Sequence, residues 1–355
     1  MKEQKRTKAD KSGHLYLDSG YPNIDWIMSE FVEKRKIHFV FNVGQRGCGK
    51  TFSFLDYLIK NNKKFIYMRR LQNECDFQNN PTTSSLIPNL LDMGIEYEVR
   101  SESGGKLKRW WNVQEDREIC LCMALKTFSN FKGMNFRDYD YILFDEFIKE
   151  PHQAKIKAEG NAFQSVIETI NRNRELTGGE SITAICCGNS VDIANDLFLT
   201  LGLVPMAEKL ASEDGKEIEY IDGKLVMIFN KYSPIAKKKE KTALYQLASE
   251  EYRDLALKNK FVMNDMSYVK KMKNLREYRC LFQVGNLWVY EHKSNHEYYV
   301  GSIPSNVKEI YKNSYTDLER FRRTKVRLWW KYMDGRIRFD SYNSIALWEK
   351  YFEKN

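Results

Sequence analysis

A glycine-rich turn lies between an apolar run and a helix-like pattern in the segment FNVGQRGCGKTFSFLDYLI, residues 41–59. The turn matches G-x-x-x-x-G-K-[ST], a pattern whose backbone amides turn onto phosphate oxygens. The lysine of such a loop reaches the β- and γ-phosphates, and the hydroxyl can ligate Mg²⁺. The residues of the turn are Gly44, Gln45, Arg46, Gly47, Cys48, Gly49, Lys50 and Thr51. A nucleotide-binding loop is therefore predicted, in preference to a purely structural glycine turn.

The residues around this loop predict a parallel sheet. KIHFVFNV precedes the turn as a strand, TFSFLDYLIKNNKK follows as an amphipathic helix, and FIYMRR is the next buried strand. Strand, turn, helix and strand in that order form a βαβ unit. Further strands are predicted in EYEVRSE, RWWNVQ, REICLCMAL, DYILFDEF and SITAICCGN, and helices in YPNIDWIMSEFVEKRK and AEGNAFQSVIETINRNRE. The predicted class is α/β, with a central, mostly parallel sheet flanked by helices.

Two adjacent carboxylates follow the apolar run of YILFDEF. Hydrolysis at a phosphate-binding loop needs a carboxylate for the metal and a base that orients the attacking water. Asp145 is predicted to hold Mg²⁺ and Glu146 to act as the base, a combination that favours an ATPase over a small-molecule kinase or a Ras-like switch. Asn189 ends the next strand, where ligands of parallel sheets collect. It is either a sensor of the γ-phosphate or a turn residue.

Several arginines are candidates for contact with ATP. Arg46, inside the loop, can contact phosphate, face a neighbouring subunit or remain solvated. Arg172 and Arg174 lie in NRNRE at a helix end. They are either a finger for a neighbour's ATP, which requires a ring, or a cationic helix end favoured by the dipole. Arg69 and Arg70 end the FIYMRR strand, and the sequence leaves nucleotide sensing and surface solvation equally open for them.

The 355 residues carry a net charge of +9. Changes in composition and in hydrophobic pattern along the sequence divide the chain into four parts. The prediction is a basic arm at 1–20, a P-loop ATPase domain at 21–220, a linker with one helix at 221–262 and an α+β domain at 263–355. No apolar run approaches the roughly 18 residues of a membrane span, and the N-terminus lacks a secretory signal. The seven cysteines show no metal-type spacing, so reduced thiols in a cellular protein are expected.

Two basic clusters could contact nucleic acid without reading its sequence, because each cation that neutralises a phosphate releases a counterion. The first lies in the predicted linker and includes Lys237, Lys238 and Lys239. The second includes Arg320, Arg322 and Arg323, interleaved with Phe321, Trp329 and Trp330. The first cluster could equally be a solvated face, and the aromatic residues of the second could be the core of the small domain.

The order of these motifs resembles the DNA-packaging ATPases, or encapsidation proteins, of phi29-type tailed phages. The resemblance rests on GQRGCGKT, FIYMRR, ILFDEFIKE, NRNRE and AICCGNS, and extends to about residue 204. It implies an additional-strand P-loop ATPase that assembles as a ring, a pentamer, on the portal of an empty procapsid and drives double-stranded DNA inside. It implies ATP at Lys50 and Thr51, Mg²⁺ at Asp145, Glu146 as the base and Arg172 as the trans-acting finger, with Arg174 as the second arginine of that motif.

The resemblance also implies partners and a place of action. These are the portal (connector) protein, a structural packaging RNA in some members, and the cytoplasm of an infected bacterium, with residence on the procapsid portal vertex but not in the mature virion. It implies a C-terminal domain similar to a vestigial RNase H-type nuclease, although CLFQVGNLWVY has no carboxylate. Two other functions stay open: a terminase-like motor that still cuts DNA, and a nucleotide-dependent assembly or binding module with little hydrolysis.

Overall fold

The computed structural model describes residues 14–84, 87–102, 107–150, 153–248, 253, 266–270, 274–295 and 297–353. These residues belong to two compact units. The first unit lies within Met1–Thr200 and Lys209–Val262, and the second within Leu201–Glu208 and Met263–Asn355.

The first unit is built on a nine-stranded sheet in the order β3-β4-β5-β2-β6-β7-β1-β9-β8. Six neighbouring strands, β5, β2, β6, β7, β1 and β9, all run parallel to one another. Antiparallel strands complete both edges. The strands are β1 Phe39–Gly44, β2 Phe65–Arg69, β3 Tyr97–Glu102, β4 Leu107–Asn112, β5 Arg117–Ala124, β6 Tyr141–Asp145, β7 Thr183–Asn189, β8 Ile218–Ile221 and β9 Leu225–Asn230.

Helices and short helical turns connect these strands. The first helix continues beyond Ile27 as a π-helical segment, Met28–Glu33. The 3₁₀ turns of this unit are Leu125–Phe131 and Glu175–Thr177. The described α-helices up to residue 248 are α1 Ile24–Ile27, α2 Lys50–Lys60, α3 Gln72–Gln78, α4 Ile87–Asp92, α5 Glu159–Asn171, α6 Asp196–Leu201, α7 Val204–Ser212, α8 Pro234–Lys239 and α9 Ala243–Leu247. The last residue of α6 and the first five residues of α7 are grouped with the second unit.

The centre of the sheet is buried on both faces. Every residue of β2 and β9 is buried, as are all but the first residues of β1 and β6. Continuous apolar runs of this kind are typical of parallel strands that are covered by helices on both sides. The core therefore holds the carboxyl ends of these strands in fixed register, and the candidate site lies at those ends.

The second unit contains a five-stranded mixed sheet in the order β13-β10-β11-β12-β14. Its strands are β10 Tyr278–Val284, β11 Leu287–His292, β12 Tyr298–Gly301, β13 Ile310–Tyr311 and β14 Ile337–Phe339. Three helices lie wholly within its described residues, α10 Tyr315–Thr324, α11 Val326–Met333 and α12 Tyr342–Phe352, together with 3₁₀ turns at Met266–Tyr268 and Leu275–Glu277. Phe321 and Trp348 are fully buried and pack edge to face in its core.

The predicted α/β class, with a mostly parallel sheet and a separate C-terminal sheet domain, is confirmed. The structure differs within the predicted linker at 221–262, because Leu225–Asn230 pairs in parallel with β1. The six residues LVMIFN are a short apolar run whose strand character was obscured by the charged segment that follows. The remaining domain boundaries stay predictions.

The first 20 residues were predicted as a basic arm, and the first 13 of them lie outside the described residues. The described part packs on the first unit: Leu15 is fully buried, and the Tyr16 hydroxyl donates to Glu217. All seven cysteines are free thiols, and six of them are buried. In the part of the chain that the structure describes, no helix combines the length and apolarity needed to cross a bilayer.

Candidate active site

The glycine-rich turn follows β1 and leads directly into α2, whose first residue is Lys50. Gly47 and Gly49 have φ values of +66° and +82°. Non-glycine residues adopt this left-handed conformation only with strain. A side chain at Gly49 would also collide with Tyr21, because its Cβ would lie 2.2 Å from Cδ1 of the ring. The two glycines thus permit a turn that other residues would block.

Lys50 is buried, with its side chain directed back into the turn. Its ammonium donates to the carbonyl oxygens of Gly44 at 3.0 Å and Gln45 at 2.6 Å, and to Oδ1 of Asn189 at 3.4 Å. Asn189 ends β7, next to Gly44 at the end of β1 in the sheet register. The two neighbouring strands therefore deliver the lysine and the asparagine to one point.

Asp145 ends β6 at the same edge of the sheet, opposite Cys187 of β7. Its Oδ1 accepts a hydrogen bond from the Thr51 hydroxyl. Its Oδ2 accepts from the Tyr67 hydroxyl and from Arg69, each at 2.9 Å. The carboxylate of a strand end and the hydroxyl of the turn are therefore in direct contact, as two ligands of one metal ion would be.

Glu146 follows with φ +53°, a left-handed conformation that strains a residue with a side chain. Arg69 donates to its Oε2 at 2.6 Å while also contacting Asp145. Burial raises the pKa of Glu146, the charge of Arg69 opposes this, and Asp145 adds to it. The side chain of Glu146 is 40% exposed, which leaves it accessible to water at the mouth of the pocket.

These groups line a cavity of about 620 Å³, a volume typical of small-molecule sites. The cavity wall includes Gly47, Lys50, Thr51, Asp145 and Asn189. Magnesium favours oxygen ligands and is commonly held by one or two carboxylates together with substrate phosphates. The turn, the lysine and the adjacent hydroxyl and carboxylate fit a magnesium-bound nucleoside triphosphate.

Arg46 contacts its own chain at the rim of this cavity. It donates to Oε2 of Glu150, whose Oε1 accepts from the side-chain amide of Asn189 at 3.2 Å. Its side chain is 62% exposed. The arginine is therefore placed in cis beside the pocket, and its predicted catalytic role stays a prediction.

Arg172 and Arg174 lie on the opposite side of the sheet from the turn, where the parallel strands begin. They line a second cavity together with His38, Tyr141 and Thr183, which stand at or next to the amino ends of β1, β6 and β7. At about 3.3 Å per residue, the five residues of β6 separate the amino ends of the strands from their carboxyl ends by roughly 16 Å. Neither arginine can reach the phosphate-binding turn of its own subunit.

The two arginines also differ from each other. Arg172 is the C-cap of α5, with φ +45°, and donates to the carbonyl oxygen of Met134 at 2.6 Å. Arg174 pairs with Asp140 at 2.9 Å and donates to the carbonyl oxygens of three further residues, Phe136, Arg137 and Tyr139. Arg174 is therefore engaged by the loop that precedes β6, and Arg172 is the more available of the two.

Arg70, next to Arg69, faces away from the cavity and is fully buried. It forms a two-pronged ion pair with Glu159, the first residue of α5, at 2.5 and 2.8 Å. It also donates to Gln153 and to the carbonyl oxygen of Ala154, each at 3.2 Å. The surface solvation considered for Arg70 is wrong, because the pair lies in the interior.

Replacing Arg70 with methionine should reduce the free energy of unfolding of the first unit by about 3–5 kcal/mol, because Glu159 would remain as an uncompensated buried charge. Adding Glu159→Leu should recover part of the loss, since both charges are then removed. Urea unfolding would measure the effect. Asp56→Asn, in the exposed pair with Lys60, is the control and should cost less than about 1 kcal/mol. A loss below that of the control would contradict the assignment.

The structure gives the predicted nucleic-acid residues different environments. Lys238 donates to the carbonyl oxygen of Ser19 at 3.0 Å, and Lys239 donates to that of Arg46. The side chain of Lys237 lies outside the described residues.

In the second unit, two of the three predicted arginines are engaged locally. Arg320 pairs with Asp317 at 3.1 Å, and Arg322 donates to the carbonyl oxygens of Tyr351 and Glu353 at the end of α12. Arg323 is exposed. Of the interleaved aromatic residues, Phe321 belongs to the core, whereas Trp330 is 63% exposed.

Tyr67 and Glu150, which contact predicted site residues, were not themselves predicted. Tyr67 lies two positions before Arg69 on β2, so the alternation of a strand places both on one face, and this signal was present. Glu150 was not recognisable, because it lies in the loop that follows β6, and its contacts with Arg46 and Asn189 arise only in the fold.

Fold and site together define a P-loop protein of the ATPase type. Solved structures share the fold, and two of them match over nearly the whole chain. The bacteriophage Phi-29 viral genome packaging motor assembly matches with a TM-score of 0.64 and 19% identity, over 95% of this chain and 98% of that chain. The Phi-28 gp11 DNA packaging motor matches with a TM-score of 0.58 and 18% identity, over 92% and 97%.

Sequence comparison is more specific. The family model of the Podovirus DNA encapsidation protein (Gp16) matches residues 21–354, and the chain belongs to this family. A DNA packaging protein of Bacillus phage B103 is 25% identical over 339 residues, which cover 88% of this chain and 96% of the relative. The predicted resemblance to packaging ATPases of phi29-type phages is thus confirmed.

Proposed function

We propose that this protein is an ATP-driven translocase that packages double-stranded viral DNA into a procapsid. The observation that carries the proposal is the convergence of Lys50, Thr51, Asp145, Glu146 and Asn189 on one cavity in a member of the encapsidation family. Support comes from the two parts that hydrolysis requires: a turn suited to phosphates, and Glu146 beside the proposed metal ligand Asp145.

Each residue of the site is proposed to have a distinct role in ATP hydrolysis. Backbone amides of the turn and the Lys50 ammonium would bind the phosphates of ATP, and Thr51 and Asp145 would hold Mg²⁺. The bound metal ion would neutralise charge on the β- and γ-phosphates. Glu146 would orient the attacking water and accept its proton, and Asn189 would hydrogen-bond near the γ-phosphate. Arg69 positions both acidic side chains through its two contacts.

The active assembly is proposed to be a homo-oligomeric ring, a pentamer, on the portal of the procapsid in the infected bacterial cell. The position of Arg172 supports action between subunits. The arginine lies at the amino ends of the parallel strands, whereas its own phosphate-binding turn lies at their carboxyl ends. In the proposed ring, the surface that carries Arg172 in one subunit faces the nucleotide of the next subunit, and the guanidinium would complete that neighbour's nucleotide site.

The nucleic-acid surface is proposed to include the exposed Arg323 of α10 and the exposed Arg327 and Trp330 of the next helix, α11. Cations and an aromatic ring suit contact with a phosphate backbone without sequence preference. Double-stranded DNA, the portal and a packaging RNA are the proposed partners. Arg320 and Arg322 contribute less to this surface, because their guanidinium groups contact their own unit.

Steady-state ATP hydrolysis with and without long double-stranded DNA tests the proposal. We expect DNA to increase turnover of the wild-type ring on procapsids, because hydrolysis drives movement along the DNA. Lys50→Ala should abolish turnover under both conditions. ATP binding without hydrolysis, or turnover indifferent to DNA on procapsids, would instead indicate a nucleotide-dependent assembly factor.

A further inference from the structure

Lys239, the last residue of α8, contacts the phosphate-binding turn although it lies almost 200 residues further along the chain. Its ammonium donates to the carbonyl oxygen of Arg46. The same nitrogen lies 2.6 Å from the position that a Cβ at Gly47 would take. The absence of a side chain at Gly47 therefore makes room for the lysine against the backbone of the turn.

This contact orients one peptide group of the turn. The peptide unit is planar and trans, so the carbonyl of Arg46 and the amide N–H of Gly47 point in opposite directions. Because Lys239 holds the carbonyl oxygen, the Gly47 amide is directed away from the lysine. Amides of such turns bind phosphate oxygens when they point into the loop.

The lysine is also placed where its charge favours an anion. Among the described residues, Lys239 forms no ion pair with a carboxylate, and its partner is a neutral carbonyl group. Partial burial lowers the pKa of the Lys239 ammonium, and the charge of Lys50 lowers it further. Two cations that repel each other become favourable neighbours once a polyphosphate binds beside them.

Helix α8 is held in place by contacts that do not involve the turn. Gly20 packs against Pro234 and Ile235, with 3.1 Å between its Cβ position and the Pro234 Cβ. The helix would therefore stay in position without the Lys239 contact, which makes the lysine separable from the fold.

From this geometry we infer that Lys239 is a positioning residue for phosphate: it aims the Gly47 amide into the turn and adds positive charge to the site. The inference deepens the proposed function and depends on nucleotide binding by this turn. It assigns the lysine to the nucleotide, whereas the sequence left nucleic-acid contact and a solvated face open.

Equilibrium titration with fluorescently labelled ADP tests this role. Lys239→Met should weaken ADP binding by roughly 10- to 100-fold, the range expected for a charged hydrogen bond. Lys239→Arg, which keeps the charge and a donor, should bind within about 3-fold of the wild type. Lys238→Met is the matched control, since it removes a neighbouring lysine that contacts Ser19 instead, and it should bind ADP as the wild type does.

The outcomes separate this inference from the proposed function. Wild-type affinity in Lys239→Met, or an equal loss in Lys238→Met, would overturn the inference alone. So would a lower melting temperature of nucleotide-free Lys239→Met without rescue by arginine, because the contact would then only stabilise the fold. If the wild type fails to bind ADP, or Lys50→Ala binds it equally well, the proposed function itself fails.

Discussion

Glu146→Gln is expected to lower the turnover of ATP by roughly 10²- to 10⁴-fold, the usual contribution of a general base. Glutamine has the same shape and can still accept a hydrogen bond from Arg69, which contacts Glu146 at 2.6 Å. It cannot accept the proton of the attacking water. The variant should therefore bind ATP as the wild type does and lose only the chemical step.

Single-turnover hydrolysis, measured together with nucleotide affinity, separates these two properties. Glu150→Gln is the matched control, because Glu150 is also an acid at the cavity but contacts Arg46 and Asn189. It should retain far more of the chemical rate than Glu146→Gln. Wild-type turnover in Glu146→Gln would show that another group is the base, and the assignment of Glu146 would be wrong.

The second large effect is expected for Arg172→Ala, which should reduce hydrolysis in the assembled ring by about 10³- to 10⁵-fold, as loss of an arginine finger does. The affinity for ATP should change little in isolated subunits. The reason is that Arg172 lies at the sheet edge opposite its own turn and could act only on a neighbour's nucleotide.

Mixed rings test action between subunits directly. Rings of Arg172→Ala and Lys50→Ala subunits should regain part of the activity, because some interfaces join an intact turn to an intact arginine. Rings of Glu146→Gln and Lys50→Ala subunits are the control, since every site then carries a lesion of its own. No recovery in the first mixture, with mixed rings verified by mass, would exclude Arg172 as a finger in trans.

Much of the site could be predicted because it depends on short segments. The turn Gly44–Thr51 is contiguous, and Asp145 and Asn189 each end an apolar run that can only be a buried strand. In a parallel sheet, the carboxyl ends of neighbouring strands meet at one edge. The local pattern and the topology together therefore brought these residues to one cavity.

The contacts that could not be predicted join residues far apart in sequence. Arg70 is 89 positions from Glu159, and Lys239 is 193 positions from Arg46. Basic residues at a strand end and in a charged helix suggest solvent or nucleic acid, and nothing local shows that a carboxylate or a carbonyl group lies opposite. These partners are set by the packing of α5 against β6 and of α8 against Gly20, which the sequence pattern does not encode locally.

The buried pair between Arg70 and Glu159 has a mechanical consequence. Helix α5 has 13 residues, about 20 Å at 1.5 Å per residue, and spans from this pair to Arg172 at its C-cap. Arg70 follows Arg69, which contacts the acids of the nucleotide cavity. A hydrogen-bonded helix is stiff over this length, so a tilt of α5 at its Glu159 end would displace Arg172 at its other end. Under the proposed action of Arg172 between subunits, a change at the nucleotide cavity of one subunit would thereby move the arginine that serves the next.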